Sequence, residues 1–292
     1  MQTAARLRSL LASPRLLTMP SAYDALSAKL IEQAGFEVTF MTGFGVAASR
    51  IGAPDLGLMS YAEVLDQARN ITDATTIPLI ADGDTGYGNA MNVRRTVAGM
   101  AKAGAAAVMI EDQLAPKRCG HTPGKEVVSR AEAFDRIRAA VDAREALREE
   151  GGDILIMART DARHDLGLAE ALHRAERFRE IGADILFVES PRTEAEMREI
   201  CAVTDAPQMA NIVEGGLTPD LPPAALEEIG YRLANYPLSL MSAAMRAMTE
   251  VLADLAAGRP RDDKLMDFKE LRRRIGFDAY YEASASYESA RR

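Results

Sequence analysis

A (β/α)8 TIM barrel is the fold that this 292-residue chain predicts, and three observations carry the expectation. Four segments share one form: QAGFEVTFM from Gln33, KAGAAAVMIE from Lys102, EIGADILFVE from Glu180 and EIGYRLANY from Glu228. In each, a helical stretch stops at a glycine suited to the left-handed C-cap, and an apolar run begins at once. Other apolar runs stand between them: LLTM at Leu16, IPLIAD at Ile77, DILIMART at Asp153 and APQMAN at Ala206. Their unbroken hydrophobicity suits parallel strands covered on both faces, where half-exposed antiparallel strands would alternate. Finally, no composition break or low-complexity linker interrupts the series. Eight strands alternating with helices in one domain make the barrel; a doubly wound open sheet is the rival.

Taken in order, the opening MQTAARLRSLLASPRLLTMP reads as a first helix, because it lacks the apolar core and small-residue cleavage site of a signal peptide. Helices are expected at Ala131 to Arg148 and at Leu168 to Glu180. The segment from Ser239 to Arg292 is long for one closing helix. MSAAMRAMTEVLADLAA is apolar at helical spacing, and a charged, largely helical extension follows it. The whole chain, 1–292, is thus one barrel domain with 239–292 as an extension expected to pack on a neighbouring subunit.

Composition narrows the function. A net charge of -8 and a pI near 5 argue against non-specific nucleic-acid binding, which rests on excess Lys and Arg. No apolar run approaches the roughly 20 residues of a membrane span. The two cysteines, Cys119 and Cys201, form no disulfide framework and no zinc-type cluster, so a reducing cytoplasm is the expected location.

In such barrels, catalytic groups stand at the C-terminal ends of the strands. Those ends carry Thr42 and Gly43, Asp82 and Asp84, Glu111 and Asp112, Arg159 and Asp161, Glu189, Asn211 and Tyr236. Asp112, Asp161 and Ser190 are expected to be helix caps or solvated loop residues. Asp82 and Asp84 differ, because ADGDTGYGN brings two acids to one rim, and like charges so close call for a cation or proton between them. With Glu111 and the Asp55 of GAPDLG they make a hard oxygen set suited to Mg2+, with Mn2+ as the alternative. GDTGYG lacks the continuation of a phosphate loop. His164 and His173 read as surface residues and Cys201 as a packed helix position.

PKRCGHTPGK, from Pro116 to Lys125, sets Cys119 between cations and His121 on a glycine-bearing loop. Such a field favours the thiolate and marks a reactive acid or base more than a core residue.

Together the motifs MTGFGVAASRIGAPDLG, IADGDTGYGN, IEDQLAPKRCGH, IMARTDA, FVESP and NIVEGGLTP, from about Pro20 to Pro237, resemble the isocitrate lyase and phosphoenolpyruvate mutase superfamily. Within it, the chain is similar to the methylisocitrate lyase and 2,3-dimethylmalate (alkylmalate) lyase branch. The Lys-Arg-Cys-Gly-His element marks the carbon-carbon lyases. The resemblance implies Asp84 as the direct Mg2+ ligand, with Asp82, Glu111 and Asp55 holding metal-bound waters. It implies Arg159, Thr42 and Gly43 for the α-keto acid half of the substrate, and Asn211 and Glu189 for the pocket floor. Cys119 would be the acid that protonates the departing carbanion, on a closing loop with Lys117, Gly120 and His121. The base that takes the hydroxyl proton stays open between a metal-linked carboxylate and a loop histidine. A homotetramer exchanging the last barrel helix is implied as well.

Two positions depart from the methylisocitrate lyase pattern: Phe40 replaces a tyrosine and Phe44 a glycine. A bulkier Phe44 shrinks the pocket, which favours a smaller substituted malate. Rival activities are oxaloacetate hydrolysis, keto-diacid decarboxylation and phosphonate formation; a non-catalytic scaffold would leave the convergent acids and the thiol unexplained.

Overall fold

The computed structural model describes residues 2–120 and 124–288. Eight strands form: β1 (Leu17–Ala22), β2 (Thr39–Met41), β3 (Leu79–Asp82), β4 (Ala107–Glu111), β5 (Leu155–Thr160), β6 (Ile185–Val188), β7 (Met209–Asn211) and β8 (Leu233–Tyr236). Every pairing is parallel, in the order β6-β5-β4-β3-β2-β1-β8-β7, and a parallel bridge between Leu186 and Gln208 joins the two ends. The sheet thereby closes on itself into the expected barrel.

Around it run α1 (Gln2–Leu11), α2 (Ala25–Gln33), α3 (Gly43–Ile51), α4 (Tyr61–Ala74), α5 (Ala90–Lys102), α6 (Arg130–Glu149), α7 (Ala162–Asp165), α8 (Leu168–Ile181), α9 (Glu194–Ala202) and α10 (Pro223–Ile229). Local chemistry starts and stops them. Asp24 with Ser27, Ser60 with Glu63 and Asn89 with Asn92 form reciprocal capping boxes at α2, α4 and α5. The predicted glycine joints Gly35, Gly104, Gly182 and Gly230 all have positive φ, between 87° and 118°. Each helix buries one stripe; on α5 it is Val93, Thr96, Val97 and Met100, at helical spacing. Burying each of the larger apolar side chains contributes about 1.5–3 kcal/mol.

Inside the barrel the strands place one residue in two. Leu17 and Met19, Val38 and Phe40, Ile80, Ala107 and Met109, Leu155 and Met157, Ile185 and Phe187, Met209 and Leu233 form one buried apolar cluster. Ala4 and Leu7 of α1 join it, so the first helix plugs the barrel. Arg8 fastens that plug, its Nε donating to Asp153 Oδ2 at 3.0 Å and its Nη1 to Asp184 Oδ1 at 2.8 Å. Two residues beyond the last apolar position on each strand, the same inward phase yields Ser21, Thr42, Asp82, Glu111, Arg159, Glu189, Asn211 and Asn235. The pleat therefore stacks a polar layer on an apolar one.

The chain divides into two compact units, 1–240 and 241–292. α11 (Ser239–Ala256) spans the division, and the second unit continues through a 3-10 turn at Asp262–Lys264, α12 (Phe268–Ile275) and α13 (Phe277–Glu288). Within it, Asp254 is bound by Arg259 and Lys264, and Arg272 lies 5.1–5.8 Å from the ring centroids of Phe268, Phe277 and Tyr281. No helix among the described residues is long and apolar enough to cross a membrane.

Candidate active site

The polar layer is wired side chain to side chain. Ser21 Oγ donates to Asn235 Oδ1 at 2.8 Å, Asn235 Nδ2 donates to Asn211 Oδ1 at 3.0 Å, and Asn211 Nδ2 donates to Glu189 Oε2 at 3.3 Å. Glu189 Oε2 in turn meets Arg159 Nη2 at 3.2 Å. Strand register sets these neighbours, since Asn211 pairs with Asn235 and Glu111 with Arg159 across adjacent strands. Sequence reading took Tyr236 as the rim residue of β8. The structure corrects this: Tyr236 packs against the apolar cluster of β7, β8, α9 and α10, and Asn235 carries the inward phase.

At the ends of β3 and β4 the predicted acids gather around one ammonium. Lys117 Nζ is 2.7 Å from Asp55 Oδ1 and 2.8 Å from Asp84 Oδ1. The Asp84 contact is an ion pair without hydrogen-bond direction, because that oxygen has no hydrogen-bond partner. Asp82 accepts from the amides of Gly43 (3.2 Å) and Asp84 (3.0 Å). Asp84 itself holds φ 47°, a strained setting for a non-glycine residue. Burial, with Asp84 as a like-charged neighbour, pushes the Asp82 carboxyl up to about 6. Burial likewise raises Glu111 well above the usual range, against the pull of Arg159, and its Oε1 is buried without a partner. Burial alone would lower the Lys117 pKa, yet Asp84, Asp82 and Asp55 outweigh it and hold the ammonium charged.

These features fit a hard divalent cation: acids in excess of the nearby cations, two of their buried oxygens without a hydrogen bond, one of them paired with Lys117, and carboxylates as the donors. Among the described residues no three acidic, histidine or cysteine side chains converge into an all-protein cage. Mg2+ does not ask for one, since it keeps several waters and takes one or two direct carboxylates.

Arg159 is held rigidly. Its Nε and Nη2 donate to Asp161 at 2.7 and 3.0 Å, Nε stands 3.4 Å from Glu111 Oε2, and the guanidinium lies over the Phe187 ring at 5.0 Å. Among the described residues no hydrogen bond reaches Nη1. Asp161, expected to be a cap, makes no cap bond to α7 and is buried. Burial would raise its pKa, but Arg159 and Lys125 drive it far below the usual range. Asp112 is no solvated residue either: it accepts from Thr160 Oγ1 (2.6 Å), the Asp161 amide (2.9 Å) and Arg174 Nη1 (3.0 Å). Ser190, also buried, has φ 58° and lies 3.0 Å from Glu189 Oε1. His173 is exposed against the Phe134 ring and His164 half-buried. Cys201 packs beside Gly230, burial pushing its thiol up to about 12.

The Cys119 segment is anchored from below. Gln113 bridges antiparallel to Val127, and its side chain accepts from the Arg118 amide (2.9 Å) and donates to the Arg118 carbonyl (3.0 Å). Lys125 Nζ donates to the Gly120 carbonyl and reaches Asp161 Oδ1 at 3.1 Å. A Cβ on Gly120 would lie 2.5 Å from both Arg159 Nη2 and Glu189 Oε2, so only glycine fits there. His121 lies outside the described residues. Gln113, Lys125, Arg174 and Asn235 escaped the sequence reading; only Asn235 had a readable signal, the two-residue phase of β8.

These groups surround a solvent-open cleft at the barrel mouth. Thr42, Gly43, Phe44, Asp55, Asp82, Lys117, Cys119, Gly120, Arg159, Glu189 and Asn211 all line it. Asp84 lines a smaller void with Asp55, Asp82 and Gly43, and Glu111 stands beside Arg159. Phe40, Val213, Pro237 and Leu238 add apolar wall. Neither backbone amide at the β2 end is idle: Thr42 donates to the Ala22 carbonyl and Gly43 to Asp82.

Sequence and fold together place the chain among the enzymes of the isocitrate lyase and phosphoenolpyruvate mutase superfamily. The chain belongs to the phosphoenolpyruvate phosphomutase family, which matches residues 7–256. It is 42% identical to 2,3-dimethylmalate lyase of Eubacterium barkeri over 296 residues, covering 100% of both chains. It is 44% identical to 2-methylisocitrate lyase of Salmonella typhimurium over 245 residues, covering 84% of this chain and 81% of that one. Among solved structures, oxaloacetate acetylhydrolase in complex with 3,3-difluorooxalacetate is similar with a TM-score of 0.91 at 35% identity, covering 98% and 97%. Phosphonopyruvate hydrolase in complex with oxalate and Mg2+ is similar with a TM-score of 0.86 at 32% identity, covering 98% and 99%.

Proposed function

We propose that this protein is a Mg2+-dependent carbon-carbon lyase that cleaves an alkyl-substituted 2-hydroxy diacid, such as 2,3-dimethylmalate, into a 2-keto acid and a carboxylate. One observation carries the reading: Cys119, Arg159 and two of the acids, Asp55 and Asp82, line a single cleft that also has an apolar side of Phe40, Phe44, Val213, Pro237 and Leu238. Asp84 would hold the metal directly, and Asp82, Glu111 and Asp55 through water. When bound, Mg2+ would lower the pKa of the substrate hydroxyl and offset the charge of the adjacent carboxylate.

The chain's own residues do the rest. Arg159 offers Nη1 to the keto-acid carboxylate while Asp161 fixes its plane. Thr42 and Gly43 flank that half, and Asn211 and Glu189 form the floor. A carboxylate of the acid cluster takes the hydroxyl proton. The C2-O bond becomes a carbonyl as the C2-C3 pair leaves for the second fragment, and the Cys119 thiol gives its proton to C3. Phe44, Val213, Pro237 and Leu238 form an uncharged side of the cleft suited to methyl groups, and Arg118 lines it as well.

The deciding assay supplies 2,3-dimethylmalate, 2-methylisocitrate and oxaloacetate separately, with and without chelator. Pyruvate or propionate, acetate and oxalate are then quantified. Pyruvate and propionate from dimethylmalate, lost on chelation, are expected; oxalate and acetate from oxaloacetate alone would instead make the protein a hydrolase. Cys119→Ser should cut kcat at least about 10²-fold with ligand binding retained. Asp84→Ala should abolish the calorimetric signal of Mg2+ binding, and an unchanged signal would move the metal elsewhere.

A homotetramer in a reducing cytoplasm completes the proposal. Exposed Met245, Met248, Leu252 and Phe268 in the C-terminal unit support the assembly, since such a set in water favours burial against other copies.

A further inference from the structure

Building on that lyase reading, we infer that Lys125 is a positioning residue: its buried ammonium holds the Cys119–Gly120 backbone against Arg159 and so fixes where the thiol stands. Lys125 is 2% exposed and does not line the cleft, so it touches no substrate. A buried ammonium is costly unless its protons and charge are met. Lys125 meets them with Asp161 Oδ1 at 3.1 Å and the Gly120 carbonyl.

Both partners lead to the reacting groups. Asp161 is the carboxylate that makes two hydrogen bonds to Arg159, so one anion sets the place of both cations. Gly120 follows Cys119 directly and leaves no room for even a methyl group against Arg159 and Glu189. Among the described residues a second donor near its carbonyl, Ser190 Oγ, stands 3.1 Å away but is also 3.0 Å from Glu189 Oε1. A hydroxyl has one proton and can serve one of these at a time. The lysine, with three, is the constant donor.

The test reads the thiol, without substrate. Wild type, Lys125→Met and Lys125→Arg are treated with iodoacetamide, and alkylation of Cys119 and Cys201 is followed by peptide mass spectrometry. Lys125→Met should alkylate at Cys119 about tenfold faster than wild type, with Cys201 unchanged, because the unpinned backbone frees the sulfur. Lys125→Arg, which keeps charge and donors, should stay within about twofold. On 2,3-dimethylmalate, kcat of the Met variant should fall about 10²-fold while KM moves less than about threefold. Should Lys125→Met fail to fold, Lys125→Gln carries the same readout. A Cys119 rate equal to or below wild type overturns the role, whether or not wild type cleaves any diacid. A wild type inactive on every diacid would sink the lyase reading and leave the alkylation result standing.

Discussion

At the scale of single residues, the site depends on glycines that let charged groups approach the backbone and on an arginine whose plane is fixed. A Cβ at Gly43 would come within 2.5 Å of Asp82 Oδ2, much as one at Gly120 would strike Arg159 and Glu189. Gly43→Ala should therefore tilt Asp82 and weaken Mg2+ binding by about tenfold, read by calorimetry, with little change in melting temperature. Arg159→Lys keeps the charge but loses the fork that grips Asp161 and leaves Nη1 to a carboxylate. A drop of about 10²-fold in kcat/KM is expected from steady-state kinetics.

At the scale of elements, a line of alternating charges runs inward from the helical shell. Arg130 at the start of α6 and Arg174 on α8 both bind Glu170, and Arg174 continues to Asp112 beneath the Asp161 amide. The hydrogen bond from Arg130 leads the effects that lower Glu170 to about 2, with Arg174 adding to it against burial. A carboxylate whose pKa is lower folded than unfolded contributes stability above its ordinary value of 4.5, lost as pH falls toward 2. Glu170→Gln should thus destabilise by about 1–2 kcal/mol near neutrality, after discounting for the half-exposed Arg130, and the difference from wild type should vanish near pH 2 in denaturant titrations. None of this line was legible beforehand. An arginine on a charged helix reads as a solvated face, and only the packing of α8 over β5 turns Arg174 inward. Strands were easier, because unbroken apolar runs and glycine stops are written locally, and all eight formed where those signals lay. Asn235 was missed by taking the last residue of β8 instead of following the inward phase from Leu233.

For the molecule as a whole, the rim residues were legible because a barrel converts position along a strand into depth, so a polar residue after an apolar run must surface at the mouth. Lys125 was not, since a lysine after a glycine-rich loop gives no sign of which carbonyl it will find. The same geometry bears on the C-terminal unit. Replacing Met248 and Leu252 with glutamate should lower the assembled mass seen by light scattering, whereas a wild-type monomer would leave those side chains unexplained.

Among the described residues α1 stoppers the base of the barrel, and the cleft opens at the mouth. Two fragments made from one diacid cannot leave by separate exits, so the fragment nearer the mouth must depart before the one gripped at the floor. Product-inhibition patterns should accordingly show a fixed departure sequence.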